Sequence, residues 1–110
     1  EGEMDLVDYL NRHINWSDQT FGRGARTGGL VKHIQKECEE ILAKPDDLEE
    51  WVDVIILAVD GAWRSGHSAE QISGMLEFKL YKNQQRTWKV SEDPNVPNEH
   101  VRTDEEETRL

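Results

Sequence analysis

A chain of 110 residues has room for one small core, and at 35% hydrophobic and 7% aromatic residues that core is thin for a domain standing alone. Homo-oligomerisation is therefore expected to complete it. Acidic residues outnumber basic ones 23 to 13, for a net charge of −10, which excludes non-specific binding to a nucleic acid polymer or an anionic membrane; a polyanionic ligand would need cations between it and the protein.

Cys38 is the single cysteine, so no internal disulfide framework and no cysteine zinc cluster can form. A reduced, cytoplasmic setting fits. The longest apolar run, Val54–Val59, is far too short to span a bilayer, and the N-terminus does not read as a secretion signal.

Leu6, Val7, Leu10 and Ile14 recur at helical spacing and predict a short helix over residues 4–14. Residues 16–29, WSDQTFGRGARTGG, carry glycines and polar residues and read as a loop that could cover a site. The loop matches neither the P-loop ending nor the dinucleotide fingerprint. From Leu30 to Ala43 the helical period resumes, with Leu30, Ile34, Cys38, Ile41 and Leu42 as its apolar face. Cys38 is expected there as a small core residue. Glu37 and Glu40 flank that face, His33 stands one turn before Glu37, and Glu39 points away. Pro45 stops the helix, and Asp46 with Glu49 resembles a capping box that opens the next.

That next helix is apolar on nearly every side from Trp51 to Trp63, as a buried helix would be. At about 100° per residue, Glu50, Asp53, Leu57, Asp60 and Arg64 fall on one stripe. A buried acidic stripe is costly unless its charge is compensated. Ion pairing, solvation at an edge, or a divalent metal would each do it. Gly66 closes the helix. Ser68 with Gln71 forms a second capping box, opening a helix over residues 69–86 whose buried face is Ile72, Met75, Leu76 and Leu80. Beyond Trp88, two prolines and the acidic run 104–107 read as an extended tail. No segment alternates long enough to be a strand. The expected fold is all-α, a small antiparallel helical bundle, with residues 1–88 as the domain and 89–110 as an acidic C-terminal tail.

Two helices thus each carry carboxylates one turn apart, Glu37-x-x-Glu40 and Glu50-x-x-Asp53, and an antiparallel pairing through the short connection would bring them together. Hard oxygen ligands of that kind suit Mg²⁺, with Mn²⁺ as an alternative; a di-iron bundle would need Glu-x-x-His motifs that are missing here. Lys79, Asn83 and Arg86 share one face of the last helix, with Lys82 beside them, which is how a protein would hold phosphate oxygens. A solvated basic face near a helix C-terminus is the plainer alternative. Together the acidic and basic groups suggest a metal-bridged polyphosphate and in-line attack by water.

The order E-x-x-E, short spacer, E-x-x-D, then K-x-x-x-N-x-x-R resembles the all-α nucleoside triphosphate pyrophosphohydrolases of the MazG-like superfamily. FGRGARTGGLVKHIQKECEEI, KPDDLEEWVDVIILAVDGAWRSG and KLYKNQQRTW are similar, more narrowly, to the dATP/dGTP diphosphohydrolase branch that includes the phage MazZ enzymes, and Glu99-His100-Val101-Arg102 extends the likeness to roughly residues 12–102. The resemblance implies that Glu37, Glu40, Glu50 and Asp53 hold Mg²⁺ and carry the catalysis. It implies too that Lys79, Asn83 and Arg86, with Lys82, contact the triphosphate, and that the protein is a homodimer or homotetramer. It further implies hydrolysis of a nucleoside triphosphate to the monophosphate and pyrophosphate by attack at the α-phosphorus. Lys36 departs from the pattern, since many superfamily members are acidic there.

The resulting expectation is a Mg²⁺-dependent diphosphatase for purine deoxynucleotides, dGTP or dATP, in the cytoplasm of a bacterium or a phage-infected cell. Its ligand would be a small-molecule nucleotide. Nucleotide-pool cleansing and supply of dGMP for a genome containing 2-aminoadenine are equally open uses. A relative acting on dCTP or dUTP would carry the same metal motifs. A non-catalytic helical interaction protein would instead display its carboxylates outward, as Glu39 does. Trp16, Phe21, His33 and Trp63 are candidates for stacking on a base, though residues of each kind are more often simply core. Asp60 and Arg64 could serve the nucleoside or form a buried ion pair.

Overall fold

Four helices and one short ladder make up the fold of the computed structural model, which describes residues 4–103, 105 and 106. In order these are α1 (Leu6–Phe21), α2 (Thr27–Ala43), α3 (Leu48–Arg64), α4 (Ala69–Gln85), β1 (Trp88–Lys89) and β2 (Glu99–His100). The chain divides into two units, one ending at Met75 and the other beginning at Leu76.

In the first unit, α1 is capped by Asp5, whose carboxylate accepts from the Asp8 amide at 3.2 Å. The helix runs well past residue 14, to Phe21, because its buried spacing continues: Leu10, His13 and Ser17 lie at i, i+3 and i+7 and are all buried. It ends where Gly22 takes φ +81 and donates its amide to the Asp18 carbonyl. The loop expected over 16–29 is accordingly confined to residues 22–26, and α2 starts at Thr27 rather than Leu30. Asp47, not Asp46, caps α3, accepting from the Glu49 amide at 3.0 Å. Ser65 and Gly66, at φ +104, close it as expected. The Ser68–Gln71 box forms in both directions, at 2.9 and 3.1 Å.

The helices α2 and α3 pack as a hairpin across the short turn 44–47, and α1 packs on α3. Hydrogen bonds between His13 and Ser17 of α1 and Asp60 and Arg64 of α3 cross the α1–α3 contact. Against Leu10, His13 and Ser17, α3 buries Leu57, Asp60 and Arg64, again at i, i+3 and i+7. Apolar burial is sparse, with Leu10, Leu57 and Ala69 as the buried hydrophobic residues among those described.

Several side chains expected inside lie outside. Cys38 is exposed, Leu42 is 76% exposed, and Trp51 and Ile55 are half-exposed or more on a helix that reads as buried all round. Met75, Leu76 and Leu80, the expected inner face of α4, are each more than half exposed.

In the second unit, Trp88 stands opposite His100 and Lys89 opposite Glu99 in an antiparallel pair where an all-helical chain with an extended tail was expected. The pair is held by an edge-to-face contact of the Trp88 and His100 rings at 5.7 Å. Ser91, Asp93, Asn95 and Asn98 tie the intervening loop together through side-chain-to-backbone hydrogen bonds. Asp104 and Glu107 of the acidic run lie outside the described residues. No described helix is long and apolar enough to cross a membrane.

Candidate active site

The α2–α3 hairpin determines where the carboxylates go. Capping by Asp47 sets Glu50 in the first turn of α3, Asp53 follows one turn later, and both meet Glu37 coming up α2. One oxygen from each of Glu37, Glu50 and Asp53 lies within 4.8 Å of the others. Carboxylates gathered in this way repel one another, and a cation among them would relieve that repulsion. Glu50 shows the strain: partial burial, a hydrogen bond with Glu37 and the charges of Glu37, Glu40 and Asp47 push its pKa above the ordinary glutamate value. Glu37 shows it differently. Its Oε2 is buried and has no partner, while its Oε1 faces His33 Nε2 at 3.4 Å. A converging set of hard oxygen donors with one oxygen left bare fits a divalent cation such as Mg²⁺ or Mn²⁺. Glu40 is exposed and stands outside this set of three, near enough for its charge to reach Glu50.

Beside the carboxylates is a cleft of about 370 Å³, within the range of small-ligand sites. It is lined by Trp16 and Phe21 of α1, Leu30 and His33 of α2, and Ile56 and Leu57 of α3, with Arg26, Asp60 and Arg64 as its charged members. Trp16 and Phe21 meet edge-to-face, ring centroids 5.6 Å apart, and both are half-exposed. His33 belongs to both places, since it lines the cleft and touches Glu37.

Asp60 and Arg64 make no direct ion pair; Ser17 joins them. Its hydroxyl donates to Asp60 Oδ2 at 3.2 Å and accepts from Arg64 Nη2 at 3.0 Å. Asp60 Oδ1 accepts from His13 Nε2 at 2.8 Å and from Trp63 Nε1 at 3.0 Å. Burial alone would raise the Asp60 pKa, but the hydrogen bonds from His13, Trp63 and Ser17, with the charge of His13, hold it below the ordinary aspartate value. Trp63 is thereby occupied: it donates to Asp60, carries the Arg64 guanidinium 4.5 Å over its ring, and does not line the cleft, unlike the other three stacking candidates. His13 and Ser17 are the residues the sequence reading missed. The signal was present in their i, i+3, i+7 spacing from Leu10, which places polar groups at buried positions.

The basic residues of α4 belong to the second unit. Lys79 and Lys82 are exposed, and Asn83 and Arg86 half-buried. Arg86 Nη1 donates to Asn83 Oδ1 at 2.9 Å, and its Nη2 lies 3.9 Å from the Glu106 carboxylate. Glu106 also faces His100 at 3.2 Å and accepts from the Thr103 amide at 3.1 Å, and these contacts lower its pKa to about 2.

The sequence model of the dATP/dGTP pyrophosphohydrolase family matches residues 9–107. The chain belongs to that family. It is therefore an enzyme, a nucleotide pyrophosphohydrolase. Among solved structures, a MazG-like pyrophosphohydrolase of cyanophage S-2L, bound to dGDP and three catalytic Mn²⁺ ions per active site, superposes with a TM-score of 0.68 at 23% identity, covering 90% of this chain and 94% of that one. At that identity the match establishes the MazG-like fold. No curated protein matches the sequence.

Proposed function

We propose that this pyrophosphohydrolase converts a purine deoxynucleoside triphosphate, dGTP or dATP, and water to the monophosphate and pyrophosphate, with Mg²⁺ or Mn²⁺ held by Glu37, Glu50 and Asp53 and assisted by Glu40. The observation that carries the reading is His33, which lines the cleft while touching Glu37 of the acidic set. A nucleoside seated against Trp16, Phe21 and Leu30 would present its phosphates next to the carboxylates. Bound divalent cations supply charge neutralisation and an acidified water. The chain's own part is to orient and to exclude: apolar walls desolvate the base, and the Glu37–Asp53 set holds its oxygens in place before substrate arrives. Lys79, Lys82, Asn83 and Arg86 are assigned to the triphosphate as its cationic and amide contacts. The catalytic domain is taken as residues 1–88, with 89–110 as a tail. Homodimers or homotetramers would cover Leu42, Trp51, Ile55 and the apolar face of α4.

Hydrolysis of a panel of ribo- and deoxynucleoside triphosphates with each cation, separating pyrophosphate from single-phosphate release, tests the reading. Pyrophosphate release favouring dGTP or dATP and lost in Asp53→Asn is expected. Preference for dCTP or dUTP would move the enzyme to a pyrimidine substrate. The absence of turnover with either cation would overturn the assignment. Light scattering over a range of protein concentration should return at least twice the 12.7 kDa protomer mass.

A further inference from the structure

Arg64 projects from α3 into the end of α1 and the loop behind it. Its Nη1 donates to the carbonyls of Gly22 at 2.7 Å and Gly24 at 3.2 Å, and its Nη2 donates to Ser17 Oγ. Both glycines sit at positive φ, +81 and +108, in the left-handed region that few other residues adopt. Arg64 is 8% exposed, so the guanidinium is held away from water, and its Nε is buried without a partner. A buried cation with one donor left unsatisfied costs stability. Such a group is suited to fixing a geometry, as a buried polar group can fix helix register.

What it fixes is the mouth of the cleft. Phe21 and Arg26 bracket the loop 22–26, both line the cleft, and Arg26 Nη2 donates to the Phe21 carbonyl at 2.9 Å. Trp16 stands beside Ser17 in the chain and packs against Phe21. The spacing between this aromatic wall and Ile56 and Leu57 of α3 is therefore set by a rigid fork running from α3 to three oxygens on the α1 side. Leu10 of α1 and Leu57 of α3 are the buried hydrophobic residues described on these helices, with Val7 and Ile14 half-buried, and such packing lacks the directionality of the fork.

We propose that Arg64 is a specificity-determining positioning residue: by clamping Gly22, Gly24 and Ser17 it holds the cleft at the width that a two-ring base fills and a one-ring base does not. This rests on the nucleoside occupying the cleft, as proposed above. A lysine keeps the charge, but its compact ammonium cannot reproduce the planar fork across Gly22, Gly24 and Ser17.

The test is carried out on the full chain as wild type, Arg64→Lys and Ser17→Ala. It measures kcat and KM for dGTP and dCTP with Mn²⁺, together with amide hydrogen exchange of residues 22–26. In Arg64→Lys the dGTP KM is expected to rise about tenfold, with kcat falling less than KM rises. The dGTP-to-dCTP ratio of kcat/KM should drop by a similar factor and the loop amides exchange faster. Ser17→Ala, which removes one of the three anchors, should shift the same quantities in the same direction by less. An unchanged nucleotide ratio in folded Arg64→Lys overturns the proposal while leaving the proposed function standing, and so does unchanged loop exchange. Should Arg64→Lys fail to fold, Ser17→Ala decides by the same ratio. If the wild type turns over neither of these nucleotides nor dATP, the proposed function falls and this inference falls with it; if it turns over dATP and not dGTP, dATP takes the place of dGTP in every comparison.

Discussion

Removing the Asp60 carboxylate should destabilise the protein about as much as deleting a fully buried leucine. Asp60 is 9% exposed and accepts three hydrogen bonds, from His13, Trp63 and Ser17, at 2.8, 3.0 and 3.2 Å. In Asp60→Ala those donors lose their acceptor, and the Arg64 cation behind Ser17 loses its counter-charge. Breaking a buried pair from one side costs about 3–5 kcal/mol. Asp60→Asn keeps the shape and the Oδ1 acceptor but loses the charge. With charge-assisted bonds worth about 1.5–3 kcal/mol against about 0.5–1.5 for neutral ones, the two bonds to Oδ1 together lose about 2–3 kcal/mol, while the Ser17 hydroxyl can turn to accept from the new amide. The assay is urea unfolding at one fixed protein concentration, since association shifts apparent stability. The acid side provides a second check. Because the folded-state pKa of Asp60 lies below its ordinary value of 3.8, the unfolded chain takes up this proton first. The stability from Asp60 is then present above about pH 4 and is lost as pH falls toward the folded-state pKa. That part of the acid limb should flatten in Asp60→Asn. An Asp60→Ala protein within about 1 kcal/mol of wild type would refute the claim that the α1–α3 contact depends on this network.

Glu50→Gln should stabilise the cation-free protein at neutral pH, because a glutamate whose folded-state pKa is raised contributes stability below its unfolded pKa and loses it as pH rises through the folded one; an unfolding series from pH 4 to 8 without metal checks the sign. Wild-type protein should gain about 2.7 kcal/mol at a Mn²⁺ concentration a hundred times its Kd, and Glu50→Gln and Asp53→Asn should gain far less, as read by thermal melts with and without Mn²⁺. Leu10→Ala, at a position 1% exposed, should cost about 2–5 kcal/mol by cavity formation, measured by the same urea series. Asp47→Ala removes the cap that accepts the Glu49 amide and should cost about 1 kcal/mol, with a loss of Mn²⁺ affinity because Glu50 lies in the turn it caps.

The acidic hairpin was legible in the sequence because its logic is local. Helical period and a turn too short for any other packing suffice to bring Glu37 against Glu50 and Asp53, and Pro45 marks the turn. Glu40 follows the same period and its charge reaches Glu50, yet it stands outside the set of three, since of two residues sharing a face only one needs to reach across the gap. The boundary of α1 was misread for a related reason. Glycine density over 16–29 suggested a loop, yet the glycines cluster at its end, and the Trp16–Phe21 stretch continued a helix whose buried residues are polar. Hydrophobic period alone does not register a serine and a histidine as inward-facing. On α2, α3 and α4 the expected inner faces are covered only in part: Leu30, Ile34 and Ile72 are half-buried while Leu42, Ile55 and Leu76 are exposed, because a helical period marks which residues share a face and not what covers it.

The polar character of the α1–α3 contact joins these observations. Two helices joined by apolar packing alone would slide or tilt with little penalty, because such packing is non-directional. A network in which Asp60 takes three donors and Arg64 gives to three oxygens penalises each displacement with an unmet hydrogen bond, since buried polar groups left unpaired cost about 1–3 kcal/mol apiece. Stability alone would be served by leucines at those positions. Charge retained there fits a need for fixed geometry at the α1 terminus, which holds Trp16 and Phe21 of the cleft wall. Replacing His13, Ser17, Asp60 and Arg64 together by apolar residues of matching volume should therefore yield a protein as stable as the original, or more so. That protein should select its base less well, and equal selectivity would show that the network serves the fold and not the cleft.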